Sequence, residues 1–280
     1  MRKMKRSILF ALAMAAGLSL SGCQKAKNSV NKFMDGVQTI SADTEGSLAC
    51  TPVKLEDGTK YQDAEARLTF TADYPTDDSK AAIMLRRWLY ENCFGEPCTD
   101  DIKDGQAFFD KLLAKYKQEN SPEMIKSALE DGFDGGWFYN IRFKKEWENE
   151  HVVSYTYSAD AFNVGNATSS AWIKDNTVSK ADGRTLGWDM FKSKTDVKSA
   201  IDDVLVTKYG REGADMYDQG IPMPDAPLFL ADGVRFDYGD YSIVTPHVYE
   251  ETGEYPCCLL SYDAYRQLLT DEARELLGLQ

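Results

Sequence analysis

The sequence predicts an α+β fold: an antiparallel sheet with helices packed mainly on one face, and two subdomains forming one unit. Three observations lead there. Helical patterns gather between residues 77 and 132 and again over 194–210. Strand patterns come in adjacent blocks joined by short turns, which favours antiparallel neighbours. No internal repeat and no Pro/Ser-rich linker interrupts the chain after residue 60, so the halves pack together.

Taken in order, residues 24–58 are polar without a sustained period and read as a tether. ARLTFTADYP sets Leu68, Phe70, Ala72 and Tyr74 at period two, a strand with one apolar face. In TDDSKAAIMLRRWLYENCF, Asp77, Asp78 or Ser79 can cap a helix whose face is Ala81, Leu85, Trp88 and Leu89. Phe108, Phe109, Leu112, Leu113 and Tyr116 repeat that spacing. A third helix opens with Ser121 as N-cap and Pro122 as first helical residue, and stops near Gly132. Strands follow: Trp137, Tyr139, Ile141 and Phe143 alternate with polar neighbours, then Val153, Tyr155 and Tyr157. SSAWIKDNTVSKADGRTLGW is a strand, an Asp182-Gly183 turn and a shorter strand. Val197, Ala200, Ile201, Val204 and Leu205 stripe the next helix. PLFLADGVRFDYGDYSIVTP gives three short strands, and the C-terminus one more strand and a helix or helix pair.

The N-terminus carries Arg2, Lys3, Lys5 and Arg6 before an apolar stretch, Ile8 to Leu20, that is short for a bilayer span. Leu20-Ser21-Gly22-Cys23 resembles a bacterial lipobox, which implies cleavage after residue 22 and lipid on Cys23. The expected division is therefore 1–22 signal peptide, 23–58 tether, 59–164 N-terminal subdomain and 165–280 C-terminal subdomain. Gln24 and the non-acidic QKAKNSVNK resemble sorting signals for an outer-membrane lipoprotein facing the periplasm, with the cell surface as the alternative. Cleavage leaves 28 basic against 45 acidic residues, a net −17 with His neutral. Such a charge disfavours nucleic acid and suits a cationic partner.

An oxidising compartment permits disulfides. The Gly95/Pro97 turn in NCFGEPC makes Cys93–Cys98 a candidate pair; Cys257 is left to pair with Cys258, or one of these with Cys50. His151 and His247 lack zinc-ligand neighbours, DDIKDG fails as a calcium loop, and no nucleotide or nucleophile-elbow motif occurs, so no metal or cofactor is expected. Candidate ligand-contacting aromatics are Trp137, Trp172 and Trp188 beside turns, and Tyr238 and Tyr241 in VRFDYGDYSIVTP; core packing is the competing assignment for each.

LGWDMF, a helix, FLADGVRFDYGDYSIVTPHVYEETG and SYDAYRQLL together resemble a bacterial domain of unknown function. That domain is shared by the RsiV-type anti-sigma factor that senses lysozyme, by PdaC-type peptidoglycan deacetylases ahead of their catalytic domain, and by stand-alone Bacteroides-type lipoproteins. The family run maps onto Gly233, Val234, Phe236, Tyr238, Tyr241, Ile243 and Pro246, with one extra residue before the proline. The family's Gly-Gly-Ala-His turn is replaced by Asn163-Val164-Gly165-Asn166-Ala167-Thr168, without the histidine. The resemblance implies a non-catalytic cell-envelope lipoprotein that binds a peptidoglycan-related glycan or a cationic protein such as lysozyme. A glycan hydrolase using two carboxylates, or a purely structural envelope lipoprotein, are the alternatives.

Overall fold

The computed structural model describes residues 47–61, 64–133, 135–162, 170–209, 221–239 and 256–279. The expected signal peptide, Cys23, Tyr241 and the 163–168 stretch lie outside them. Among the described residues no helix is long and apolar enough to cross a membrane.

The fold is α+β, as expected, and its main sheet is mostly antiparallel. Six strands lie in chain order: β1 (Cys50–Lys60), β2 (Ala64–Pro75), β3 (Gly135–Glu148), β4 (Val152–Phe162), β5 (Ser170–Ser179) and β6 (Thr185–Leu186). One pair departs from the expectation: β2 and β3 run parallel. Three helices cross between them, α1 (Lys80–Phe94), α2 (Gly105–Glu119) and α3 (Pro122–Glu130). A parallel pair needs such a crossover.

β1 corrects the tether assignment for residues 50–58. Pro52, Gly58 and the charges of KLEDGTK hide the strand, but Val53 and Leu55 alternate inward and pack on the core beneath α2. The charged alternates face outward, as suits a strand at a sheet edge. The sheet also crosses the expected subdomain boundary at 164, because β5 and β6 complete it.

Each crossover helix starts where a side chain satisfies its free N–H groups. Ser79 accepts from Ala82 N (3.1 Å), Asp104 from Gln106 N (3.1 Å) and Ser121 from Met124 N (3.3 Å). Gly95, at φ 71°, ends α1 in the left-handed region that only glycine enters freely. The helices bury Leu85, Leu89, Phe108, Phe109, Leu112 and Ile125 against the β2–β5 face formed by Leu68, Phe70, Ile141, Phe143, Tyr155 and Tyr157. Arg86 sits inside this layer at 2% exposure. Its guanidinium grips both oxygens of Asp101 at 2.6 Å, and its Nη1 donates to the carbonyls of Pro75 (3.0 Å) and Asp77 (2.8 Å). One side chain thereby ties the end of β2, the entry to α1 and the approach to α2.

A second, three-stranded sheet contains β7 (Leu228–Phe229), β8 (Gly233–Asp237) and β9 (Cys257–Ser261). With α4 (Lys194–Tyr209), α5 (Tyr262–Tyr265) and α6 (Asp271–Leu276) it builds a second core around Ile201, Phe229, Val234, Phe236 and Leu260. β4 divides the cores: Val153 faces the first and Val152 the second. The small sheet touches the six-stranded sheet at β4 and β5, on the face away from α1–α3.

Candidate functional site

Most sequence-selected aromatics are structural. Trp137, at 2% exposure, belongs to the helix-side core. Tyr238, at 4%, donates its hydroxyl to Pro222 O (3.2 Å). Trp172 is half-buried against Tyr139, with centroids 6.2 Å apart. Trp188 is half-buried, stacks on Phe236 at 5.5 Å, and donates Nε1–H to Asp225 O (3.3 Å). These rings close cores and do not form a joint platform.

The expected Cys93–Cys98 bridge is absent: both are free thiols. Cys93 points into the core toward Tyr157, whereas Cys98 lies beyond the Gly95 cap and contacts Asp100 O (3.1 Å). Burial pushes the Cys93 thiol up to about 12. Cys50 and Cys258 are free as well, so neither a Cys257–Cys258 bond nor a bond from Cys50 forms.

The face of β1–β5 opposite the helices is covered by the small sheet over part of β4 and β5 and, among the described residues, meets solvent beside it. Strand alternation puts every second residue there. The register lines up Thr71, Arg142, Ser158 and Ile173 in one row and Thr69, Asn140, Asp160 and Ala171 in the next. Asn140 Nδ2 donates to Asp160 Oδ2 at 2.8 Å. Phe138 and Phe162 are register partners beyond that pair, half-buried, with ring centroids 6.5 Å apart. Arg142 is exposed and has no carboxylate partner among the described residues. The result is a broad polar surface with hydroxyl, amide and guanidinium donors and an aromatic pair at one end. Of the sequence's candidates on β3, Trp137 points to the helices, as Tyr139 does, and Phe138 between them points out.

Beside this surface, at the seam between the two sheets, is a cluster of buried charge. Arg235 on β8 donates to Asp237 Oδ2 (2.8 Å) and to Thr156 Oγ1 (3.0 Å), and Thr156 donates to Asp175 Oδ1 (2.9 Å). Asp175 and Glu146 also face the guanidinium, at 3.9 and 4.0 Å. Asp175 and Asp237 thus flank the same guanidinium, one from each sheet. Their side chains are only 2% and 5% exposed. Burial raises both carboxyls above the ordinary range; the neighbouring Asp237 raises Asp175 further, while Arg235 opposes both shifts. Burial alone would lower Arg235, but Asp237, Asp175 and Glu146 together raise it. Period two places Arg235 and Asp237 on the face opposite Val234 and Phe236; that spacing is the trace the cluster leaves in sequence.

A glycosidase pair spans an open site with carboxyls roughly 5–9.5 Å apart. Asp175 and Asp237 are instead buried around one guanidinium. Two pockets among the described residues, at Phe191/Leu260/Tyr265 and at Asp57/Tyr61/Tyr116, hold about 10 and about 20 Å³, room for a water. No group of three or more His, Cys, Asp or Glu among the described residues is placed to hold a metal ion.

No family model matches the sequence, and no curated protein does. Solved structures do match its fold. A DUF3298 family member from Bacteroides fragilis NCTC 9343 aligns with TM-score 0.68 at 14% identity, over 84% of this chain and 98% of that one. A DUF3298 family protein from Pseudomonas aeruginosa PAO1 aligns with TM-score 0.54 at 14% identity, over 81% and 96%. The α+β architecture built above is thus similar in fold to these two DUF3298 proteins.

Proposed function

We propose that this chain is a non-catalytic binding protein of the cell envelope, and that its open sheet face holds a peptidoglycan-related glycan. The observation that carries the reading is the part of the β2–β5 face that, among the described residues, lies beside the small sheet and outside its contacts, where Asn140, Asp160, Arg142, Thr69, Thr71 and Ser158 lie next to the Phe138–Phe162 pair. Saccharides offer hydroxyls to such polar groups and an apolar ring face to aromatics. A flat surface suits an extended chain better than a deep pocket would. The lipid anchor at Cys23 and an outer-membrane, periplasm-facing location belong to the same proposal, with the lipobox as their support.

A cationic, lysozyme-like protein is the second reading. Its support is the charge of −17 beyond residue 22, together with exposed Glu91, Glu96, Asp100, Asp104 and Asp110 around α1 and α2. Electrostatic steering would make that encounter fast and salt-sensitive. Titrating the soluble fragment 24–280 with muropeptide-derived oligosaccharides and with a c-type lysozyme separates the two. Glycan binding lost in Phe138→Ala and in Asp160→Ala supports the first. Saturable lysozyme binding that survives physiological salt, unaffected by those substitutions, replaces it with the second. Binding of neither removes both.

A further inference from the structure

We propose that the row Lys54–Thr71–Arg142, on the solvent-facing part of the large sheet, is an anion subsite, and that the glycan held beside it bears a carboxylate. The inference rests on the reading of that face as a glycan site and narrows its ligand. It begins with the charges in the rows from Phe138 to Lys144 along β3. Arg67 holds Glu56 at 2.9 Å and Glu65 at 2.8 Å, and Lys144 holds Glu146 at 2.9 Å. Asp160 accepts from Asn140, and Asp73 accepts from the backbone N–H of Lys145 at 3.0 Å. Asp175 faces Arg235. In those rows Lys54 and Arg142 alone, among the described residues, have no ion pair and no side-chain hydrogen bond, and both are exposed.

The register brings the two cations together. Lys54 pairs with Thr71, and Thr71 pairs with Arg142. Two strand spacings, about 10 Å, separate their backbones, with the exposed Thr71 between them. Side chains of that length reach one group from both sides. Arg142 offers a planar fork that matches a carboxylate through two hydrogen bonds, and Lys54 adds a point charge beside it.

The surroundings fix where the anion sits. Beyond residue 22 the chain carries −17, so its long-range field repels anions and affinity for one has to come from a local arrangement. Asp160, one row away, repels a second anionic group there. The Phe138–Phe162 pair lies about 13 Å from Arg142 along β3, with Asn140 and Asp160 in the row between. The face therefore orders an aromatic ring contact, a hydroxyl-binding pair and an anion contact along one line. That order fits an acidic saccharide longer than one ring, with its acid at the Arg142 end. A neutral glycan would leave both cations unused.

Calorimetric titration of the full chain, in an uncharged polyoxyethylene detergent, tests this with two ligands. One is the disaccharide of N-acetylglucosamine and N-acetylmuramic acid with its lactyl carboxylate free; the other is the same disaccharide with that group as a carboxamide. At physiological salt the acid should bind at least about tenfold more tightly, as one charge-assisted pair provides. Arg142→Gln should remove the preference by weakening the acid alone, and Lys54→Gln should reduce it in part. Lys60→Gln, beyond these rows opposite Glu65, should change neither ligand, whereas Phe138→Ala should weaken both alike. Arg142 and Lys54 support no other side chain, so unchanged urea midpoints should accompany these results. Equal affinity for acid and carboxamide overturns the anion subsite and leaves the glycan reading of the face standing; so does a preference that persists in Arg142→Gln. Binding of neither disaccharide removes the glycan reading and the subsite with it. A sugar phosphate that binds more tightly than the acid overturns the assignment to a carboxylate.

Discussion

Replacing Arg86 with alanine should be among the costliest single changes in this protein, for reasons separate from apolar volume. The guanidinium is fully enclosed, with 1% side-chain exposure, and four hydrogen bonds use it. Removal strands the carbonyls of Pro75 and Asp77, each costing about 1 kcal/mol or more. It also abolishes a bidentate charge-assisted pair, about 1.5–3 kcal/mol. The total, about 3–5 kcal/mol, agrees with the usual penalty for breaking one side of a buried pair. Asp101 keeps 24% side-chain exposure, so water reaches it and the lower half of that range applies. With a urea m-value of about 3 kcal/mol/M, the unfolding midpoint should drop by about 1 M at constant m. Arg86→Lys should lose roughly half as much, because an ammonium reaches Asp101 or the carbonyls but does not fork across both. A midpoint shift below about 0.3 M in Arg86→Ala would refute the clamp argument.

Other outcomes follow from single sites. Asp101 is held below the usual carboxylate range by its hydrogen bonds to Arg86, so its contribution is present above the unfolded Asp value and lost as pH falls through the lowered one; Asp101→Asn should flatten the acid limb of a stability–pH curve, read by urea midpoints. A Cβ on Gly233 would lie 2.5 Å from Leu260 O, so Gly233→Ala must push β8 from β9. At about 2 kcal/mol, calorimetry should show a Tm lower by about 4–8 °C. Iodoacetamide in the native state should modify half-exposed Cys98 and spare Cys93, whose thiolate is suppressed by burial; equal labelling would contradict the core position of Cys93.

The elements legible in sequence were those with local signals. Ser79 and the Ala81/Leu85/Leu89 stripe define α1, and Ser121-Pro122 opens α3. The Asp182-Gly183 turn sits between β5 and β6, with Gly183 at φ 78°. β1 escaped notice because an edge strand keeps its charged, Gly-containing character while only Val53 and Leu55 reach the core. The parallel β2–β3 pairing is silent in sequence, since period two is the same for either direction. The candidate sites were hardest to read. Alternation identifies two faces without saying which is wet, so Trp137 stood as a candidate while Phe138 on the other face did not. Asp175 reads as an ordinary strand-surface acid until β8 covers it with Arg235 and Asp237.

The parallel seam between β2 and β3 has a kinetic consequence. The β1–β2 hairpin and the β3–β4–β5 meander each close through nearby residues and can form early. Joining them means bringing together strands separated by three helices, a loop-closure cost met before the pairing returns anything. The slow step in refolding should be that union, with β2 and α1–α3 arriving together, because Arg86 and Asp101 fasten those pieces to one another. During synthesis the hairpin emerges first and waits for β3, so its apolar face, Leu68 and Phe70, has only the newly made helices to cover it until the rest of the sheet is released.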